Sequence, residues 1–247
     1  MMRRALVAAL AALFAAGHPV RADGVDMLLV LAADVSRSID DGEFQLQRKG
    51  YAAALGDLRV LEAITAGPNQ AIAISYVEWS GAGEQKTVVD WTVLHDGEDA
   101  AVVAAAILAA PRSFLARTSI SEAIDFSAAR LAGSPVAADR RVIDISGDGT
   151  SNSGRPVTDA RDEAVAKGIT INGLAIINTR AGPGFFSHTQ PEGGLPNYYK
   201  VNVIGGAGAF LMVVENFDTF AEAMTRKLVS EIAGAPSGVR FAAATPF

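Results

Sequence analysis

The sequence contains no cysteine and only three histidines among its 247 residues. Cys–His catalysis is therefore excluded, and so is lipoprotein anchoring, which needs a cysteine after the signal segment. Disulfide bonds are needed mainly by small domains that lack a core. Half of this chain is hydrophobic, so it can build a core without them.

Clusters of basic residues are also lacking. The chain carries 21 Lys and Arg residues against 27 Asp and Glu residues, which gives a formal net charge of −6. Nucleic-acid phosphates require clustered Lys and Arg side chains. We therefore expect no nucleic-acid partner.

No apolar run is long enough to span a bilayer comfortably, which takes roughly 20 residues. The run from Ala5 to Gly17 follows Arg3 and Arg4 and precedes Val20-Arg21-Ala22, with small residues at −3 and −1. This pattern predicts a secretory signal peptide at residues 1–22, with an uncleaved anchor or a buried helix as the alternative. We expect a periplasmic or secreted protein without a stable membrane anchor, whose mature charge is near −9 because the removed segment carries three arginines and no acid.

Strand-like apolar runs alternate with amphipathic helical patterns along the rest of the chain. The predicted strands are residues 27–33, 71–79, 87–93, 141–146, 169–177 and 210–214. The predicted helices are residues 43–58, 97–109, 120–131, 158–167 and 217–232. This alternation predicts an α/β fold, with a doubly wound, mostly parallel sheet, one antiparallel hairpin strand and helices on both faces. We expect one domain at residues 23–233 and a flexible tail at residues 234–247.

Residues 178–209 contain no clear periodic element and are rich in glycine. Loops this long are usually functional or disordered. The segment is also rich in aromatic and apolar residues, among them Tyr198 and Tyr199. We therefore expect it to fold back on the domain, with His188 exposed to solvent because it has no companion at metal-ligand spacing.

Polar residues stand where the carboxyl ends of the strands are predicted. Asp34-Val-Ser36-Arg-Ser38 follows the first strand directly, Asp148 follows the strand 141–146, and Thr118 precedes the helix 120–131. In open parallel sheets, ligands bind beyond the carboxyl ends of the strands. Because residues 34, 36 and 38 alternate, their side chains can lie on one side of the chain. We therefore expect all five side chains to meet at one point.

Two carboxylates and three hydroxyls form a set of oxygen ligands. Such a set suits a hard dication rather than zinc, and we expect Mg²⁺, with Ca²⁺ or Mn²⁺ as alternatives. Mg²⁺ usually keeps some waters, so five protein groups, some acting through water, leave a position open. With only two carboxylates, the ion stays electrophilic toward an external carboxylate. The sequence thus predicts a metal site that captures an Asp or Glu of a partner protein.

Helix capping and turn formation are alternative explanations for the same residues. Ser38-x-x-Asp41 resembles a helix N-cap, and Ser119-x-x-Glu122 resembles a capping box. Gly147-Asp148-Gly149 is compatible with an ordinary turn. Capping does not explain why three polar clusters coincide at one edge of the predicted sheet, so we favour the metal hypothesis.

In this order and spacing, Asp34-x-Ser36-x-Ser38, Thr118 and Asp148 resemble the metal-ion-dependent adhesion site of von Willebrand factor A domains. Through residues 31–38, 76–79, 141–149 and 203–210, the chain is also similar to a family of secreted bacterial proteins of unknown function related to those domains. The resemblance implies a doubly wound sheet with an antiparallel edge strand. It also implies that Ser36, Ser38 and Thr118 ligate metal directly, whereas Asp34 and Asp148 act mainly through water. The segment 178–209 departs from the pattern, since many such domains lack it.

We expect a monomeric binding module with no catalytic residues rather than an enzyme. Ser–His–Asp catalysis has little support, because one of the three histidines lies in the signal peptide. A metal-dependent phosphohydrolase is the alternative, since strand-end Asp residues with Mg²⁺ also serve phosphoryl transfer. Phosphatases with an aspartate nucleophile place a second Asp two residues after the first. That position is Ser36 here, which removes their general acid/base.

Three further residues have structural interpretations. Asp144 lies within an apolar strand and needs a partner, for which Arg140 and Arg141 are candidates. Trp79 is expected to pack at the hairpin. The sequence leaves open whether Glu78 faces the site or solvent.

Overall fold

The computed structural model describes residues 24–177, 191–234 and 238–241. The predicted signal peptide at residues 1–22 lies outside the described residues, as does His188. None of the helices in the described ranges is long and apolar enough to cross a membrane.

The described strands form one seven-stranded sheet in the order β3-β2-β1-β4-β5-β6-β7. Their bounds are β1 Gly24–Asp34, β2 Ile72–Trp79, β3 Gln85–Leu94, β4 Ala137–Gly147, β5 Thr170–Ile176, β6 Phe210–Val214 and β7 Gly238–Phe241. Neighbouring strands run parallel except β2 and β3, so β3 is an antiparallel edge strand. The predicted doubly wound, mostly parallel sheet is confirmed.

The central strand β1 explains why both faces of the sheet are covered. Its side chains alternate between two hydrophobic clusters, with Leu29 and Leu31 in one and Leu28 and Val30 in the other. A continuous apolar run is what a strand buried on both faces requires. The first cluster includes residues of the helices Asp41–Leu55, Gly97–Ala109 and Phe220–Ile232, whereas the second includes residues of the helices Ile120–Ala132 and Val157–Ala166.

The helices agree closely with the amphipathic patterns. Their bounds are α1 Asp41–Leu55, α2 Leu58–Thr65, α3 Gly97–Ala109, α4 Ile120–Ala132, α5 Val157–Ala166, α6 Gly194–Tyr198 and α7 Phe220–Ile232. The sequence pattern did not predict α2, which buries Val60 and Ile64 against the first cluster. Gly168 follows α5 at φ 74°, a left-handed conformation that glycine adopts without steric cost and that ends the helix as expected.

Part of the segment expected to be a flexible tail is a strand. The backbone of β7 pairs parallel with β6, from Phe210 opposite Gly238 to Val213 opposite Phe241. Without this pairing, β6 would present a row of unsatisfied backbone groups at the sheet edge. The expectation of a loose tail is therefore wrong for residues 238–241.

The described part of the segment 178–209 folds back on the sheet, as expected. Helix α6 leads into a π-helical turn, Tyr199–Val203, and both terminal residues of this turn are buried in the second cluster. Gly205 then pairs with Ile171 through two backbone hydrogen bonds of 2.8 and 3.1 Å. Val201 is 56% exposed, so the turn buries only one of its sides.

The partner of Asp144 is Lys227 of α7, and the prediction of an arginine partner was wrong. Lys227 Nζ lies 2.6 Å from Asp144 Oδ1 and also bonds Glu231, and all three side chains are fully buried. Burial raises the pKa of Asp144 while Lys227 opposes that shift. Arg140 is unavailable because it donates to the last carbonyls of α7.

Candidate metal site

The site begins where β1 and β4 end side by side. Ala33 pairs with Ser146 in the parallel register, so the chains emerging as Asp34 and Asp148 leave the same edge of the sheet. Ser36 N–H donates to Asp34 Oδ1 at 2.7 Å, which turns the chain sharply after the strand. Asp34 is fully buried. Its carboxylate therefore lies beneath the loop rather than in solvent.

The five predicted side chains meet in one cluster. Ser36 Oγ and Ser38 Oγ lie 3.1 Å apart, and Ser38 Oγ donates to Asp148 Oδ1 at 2.7 Å. Thr118 Oγ1 donates to Ser36 Oγ at 3.3 Å. Hydroxyls from two loops and a carboxylate from a third thus face one another across distances that a shared ion or water can bridge.

The Thr118 and Asp148 loops are tied together by two hydrogen bonds between Thr118 and Asn152. Thr118 N–H donates to Asn152 Oδ1 at 3.0 Å, and Asn152 N–H donates back to Thr118 O at 2.8 Å. Arg37 N–H donates to Ala116 O at 2.9 Å, which joins the Ser36 loop to the same segment. Each hydroxyl of the cluster therefore rests on a hydrogen-bonded scaffold.

Arg112 fixes the loop that carries Ser36 and Ser38. Its guanidinium donates to the carbonyls of Val35, Ser36 and Ile39 at 2.9, 2.9 and 2.8 Å. The three residues lie beyond the end of β1, and the Ser36 carbonyl also accepts from Ile39 N–H at 3.1 Å, so Arg112 adds to the backbone bonding of this loop. No sequence pattern indicated this role of Arg112.

Glu78, whose orientation the sequence left open, faces the protein interior. It is fully buried and accepts a bond of 3.0 Å from Arg48 Nε, while its other oxygen accepts from Ser113 N–H at 3.0 Å. The pair anchors the segment that leads to Thr118. Trp79 beside it is buried in the second cluster, as predicted.

The capping explanation is wrong for the two serines. The side chain that caps α1 is Asp40, which accepts from Glu43 N–H at 2.8 Å and forms a capping box with Glu43. Ser119 occupies the N-cap position of α4 but makes no side-chain capping bond. Ser38 Oγ is therefore directed at Asp148 and not at a helix terminus.

The carboxyl group of Asp34 has a strongly raised pKa. Burial, and then the neighbouring Asp148 carboxylate, raise the pKa of Asp34 to about 8. Within the described ranges, Asp34 Oδ2 is buried and has no hydrogen-bond partner. An unpaired buried carboxylate oxygen is costly. A cation, or a water bound to one, would satisfy it, so the donor set fits a divalent metal.

The side-chain atoms that this cluster offers to a metal are all oxygens. Among the described residues, no group of three or more His, Cys, Asp and Glu side chains is placed to hold a metal. Hydroxyls must therefore supply most of any ligand set here. Hydroxyl and carboxylate oxygens are ligands of hard dications such as Mg²⁺.

Tyr199 is a second residue at the site that the sequence analysis did not identify. Its fully buried hydroxyl approaches Gly147 so closely that a Cβ there would lie 2.6 Å from it and 3.0 Å from Asp34 Oδ2. Burial raises the pKa of Tyr199 well above its usual value, and the Asp34 and Asp148 carboxylates raise it further. The preceding residue, Tyr198, accepts a hydrogen bond of 3.2 Å from Ser151 N–H through its hydroxyl. The aromatic content of the segment was the available signal.

A family model matches most of the chain. The family described as "Protein of unknown function (DUF1194)" matches residues 24–236. A comparison with curated proteins found no match.

Solved structures share the fold at low identity. Proximal thread matrix protein 1 from the mussel byssus is 16% identical with a TM-score of 0.61, over 85% of this chain and 49% of that one. A von Willebrand factor type A protein from Catenulispora acidiphila is 13% identical with a TM-score of 0.57, over 84% of this chain and 43% of that one. The chain thus spans about half the length of these proteins or less. Their likeness shows that it has a von Willebrand factor A-like fold.

A further structure of the mussel protein is described as having a zinc-occupied MIDAS motif, with 17% identity, a TM-score of 0.55 and coverage of 85% of this chain and 48% of that one. The pilus adhesin SpaC from Lactobacillus rhamnosus GG, in an open conformation, is 12% identical with a TM-score of 0.60, over 85% of this chain and 30% of that one. The fold therefore occurs in adhesion and matrix proteins, and one of these holds a divalent ion.

Proposed function

This chain belongs to the family described as "Protein of unknown function (DUF1194)", and from the geometry of its site we propose that it is a metal-dependent protein-binding module. The observation that carries the proposal is the convergence of Asp34, Ser36, Ser38, Thr118 and Asp148 at one sheet edge. We further propose that the mature protein acts outside the cytoplasm, as its predicted signal peptide implies.

In this proposal Ser36, Ser38 and Thr118 ligate a divalent cation directly, while Asp34 and Asp148 hold it mainly through water. When bound, the cation supplies a positive centre that accepts one carboxylate oxygen from outside. Mg²⁺ is the first choice because oxygen ligands and retained waters suit it. Support comes from the buried Asp34 oxygen that has no partner in the described ranges. Support also comes from the mussel protein of the same fold whose MIDAS motif holds zinc.

The proposal places the partner's carboxylate at the exposed side of the cluster. Ser36 and Asp34 are buried, whereas Ser38 is partly exposed. An external ligand therefore approaches over Ser38. A partner that presents an Asp or Glu side chain on its surface has the required chemistry.

Thermal unfolding tests the metal site. The mature protein is heated with EDTA, Mg²⁺, Ca²⁺ or Mn²⁺, beside Ser36→Ala and Ser127→Ala. An ion at 100 times its dissociation constant adds about 2.7 kcal/mol, which raises the melting temperature by roughly 5–10 °C for this size. Ser36→Ala should lose the shift. Ser127→Ala should keep it, because Ser127 is a buried serine of α4 outside the site.

The outcome that contradicts the proposal is specific. If no ion changes the melting temperature and metal analysis of the purified protein finds none bound, the site is not a metal site. If Ser36→Ala and wild type respond equally to Mg²⁺, the ion binds elsewhere.

A further inference from the structure

Among the described residues, two arginines beside the cluster lack the side-chain partners that the other described arginines have. Arg37 lies between Ser36 and Ser38, and Arg117 directly precedes Thr118; both are exposed. In the described part of the chain, neither guanidinium bonds a carboxylate or a carbonyl. Every other arginine whose side chain is described does so: Arg48, Arg59, Arg112, Arg130, Arg140, Arg141, Arg155, Arg161 and Arg226.

The backbone positions of the two arginines are held, although their guanidinium groups have no bonded partner in the described ranges. Arg37 N–H donates to Ala116 O at 2.9 Å, so the two arginines sit on neighbouring, bonded segments. Their side chains are exposed, while those of the adjacent Ser36 and Thr118 are buried in the cluster. Both positive charges therefore lie on the solvent side of the candidate site.

This placement is notable in an acidic protein. The chain carries a formal charge of −6, and Arg59, the other exposed arginine among the described residues, is paired with Asp57 and Glu222. A bound dication would balance the charges of Asp34 and Asp148, and in the described ranges the guanidinium groups of Arg37 and Arg117 would then stand at the rim without a hydrogen-bonded carboxylate. Complementary potentials at a rim steer association and select partners.

Leu115 adds an apolar surface to the same rim. It is 58% exposed and lies two residues before Arg117. An exposed leucine alone needs no explanation. Beside two unpaired cations and a candidate metal site, it favours a peptide ligand with an apolar side chain over an acidic polysaccharide.

We infer that the ligand of this site is an acidic protein segment with at least two neighbouring carboxylates, one for the metal and one for Arg37 and Arg117. An apolar side chain between or beside them packs on Leu115. The inference rests on the proposed function, because it names the class of partner for the same site.

Fluorescence anisotropy with three glycine-flanked peptides tests this. The peptides contain Asp-Leu-Glu, Asp-Leu-Gln or Asn-Leu-Gln, and each is titrated with mature protein in Mg²⁺ or EDTA. The diacidic peptide should bind about 5–10-fold more tightly than the monoacidic one, since each exposed ion pair contributes a few-fold. Its advantage should shrink at higher salt, and an oligo-uronate should compete less well than the diacidic peptide.

The variants separate this inference from the proposed function. In Arg37→Gln/Arg117→Gln the diacidic advantage should disappear, while the Mg²⁺-dependent binding of the monoacidic peptide and the Mg²⁺ stabilisation persist. Lys167→Gln is the matched control. Lys167 is exposed and precedes the amino end of β5, whereas the site lies at the carboxyl ends of the strands.

Equal binding of the two acidic peptides to wild type, an unchanged ratio in the double variant, or preferential binding of the oligo-uronate overturns the inference alone. If no peptide binds in Mg²⁺, both the inference and the proposed function fail.

Discussion

Replacing Asp34 by asparagine tests whether this buried carboxyl couples stability and metal binding to pH. Burial and the Asp148 carboxylate raise the pKa of Asp34 to about 8 in the metal-free protein, against about 4 in an unfolded chain. The folded state therefore holds this proton more tightly. The resulting stabilisation is fully present below about pH 4 and is lost as the pH rises through about 8.

The magnitude follows from this difference. One extra proton on the folded state changes the free energy of unfolding by about 1.4 kcal/mol per pH unit, so metal-free wild type should lose about 2 kcal/mol between pH 6 and pH 8. A dication competes with the proton, so its apparent affinity should be roughly 50-fold weaker at pH 6 than at pH 8. Mg²⁺ should therefore stabilise the protein most where the metal-free form is least stable.

Urea unfolding at pH 6 and pH 8, with EDTA or Mg²⁺, measures both effects. The curve for Asp34→Asn in EDTA should lack the decline between the two pH values, and Mg²⁺ should not stabilise this variant. Asp139→Asn is the control, because Asp139 is an exposed residue near the other end of β4. It should behave as wild type does.

One result refutes the reasoning. If wild type and Asp34→Asn decline equally with pH in EDTA, the buried Asp34 carboxyl does not carry the proton. A Mg²⁺ stabilisation that is the same at pH 6 and pH 8 would likewise remove the link between ion and proton.

Three further outcomes are expected. Lys227→Met leaves Asp144 buried without its cation and should lower the free energy of unfolding by about 3–5 kcal/mol in urea. Gly147→Ala places a Cβ 2.6 Å from the Tyr199 hydroxyl and should lower the free energy of unfolding by about 1–3 kcal/mol. In a Tyr199→Phe background this decrease should be smaller, and a double-mutant cycle measures the coupling. Tyr199→Phe alone should change the apparent Mg²⁺ affinity, because the hydroxyl lies beside the cluster, whereas Tyr76→Phe, which removes another buried hydroxyl, should not.

Much of the fold follows from local pattern. The apolar runs of β1 and β6 and the Ala-rich repeat of α3 are strong local signals, so each element formed where the sequence indicated. The convergence of the five site residues follows from one topological rule, that parallel strands end at a common edge. These features need only the order of elements and no knowledge of side-chain contacts.

The features that were missed depend on long-range contacts. Lys227 and Asp144 are separated by more than eighty positions, and only the packing of α7 on the sheet brings them together. A usable signal existed, since Lys227 and Glu231 interrupt the apolar side of α7 at (i, i+4) spacing. The sequence signal for Tyr199 was weaker, because a π-helical turn has no periodic pattern that sequence analysis recognises.

Arg112 also has a consequence for binding strength. By holding three carbonyls of the Ser36 loop, it gives the loop its bound shape before a ligand arrives. A preorganised loop loses little conformational entropy on binding, so more of the interaction energy appears as affinity. A chain with the same five signature residues but no arginine here would have to order its loop for each binding event. The five site residues determine which atoms bind the ligand, and Arg112 determines how much of the interaction energy appears as affinity.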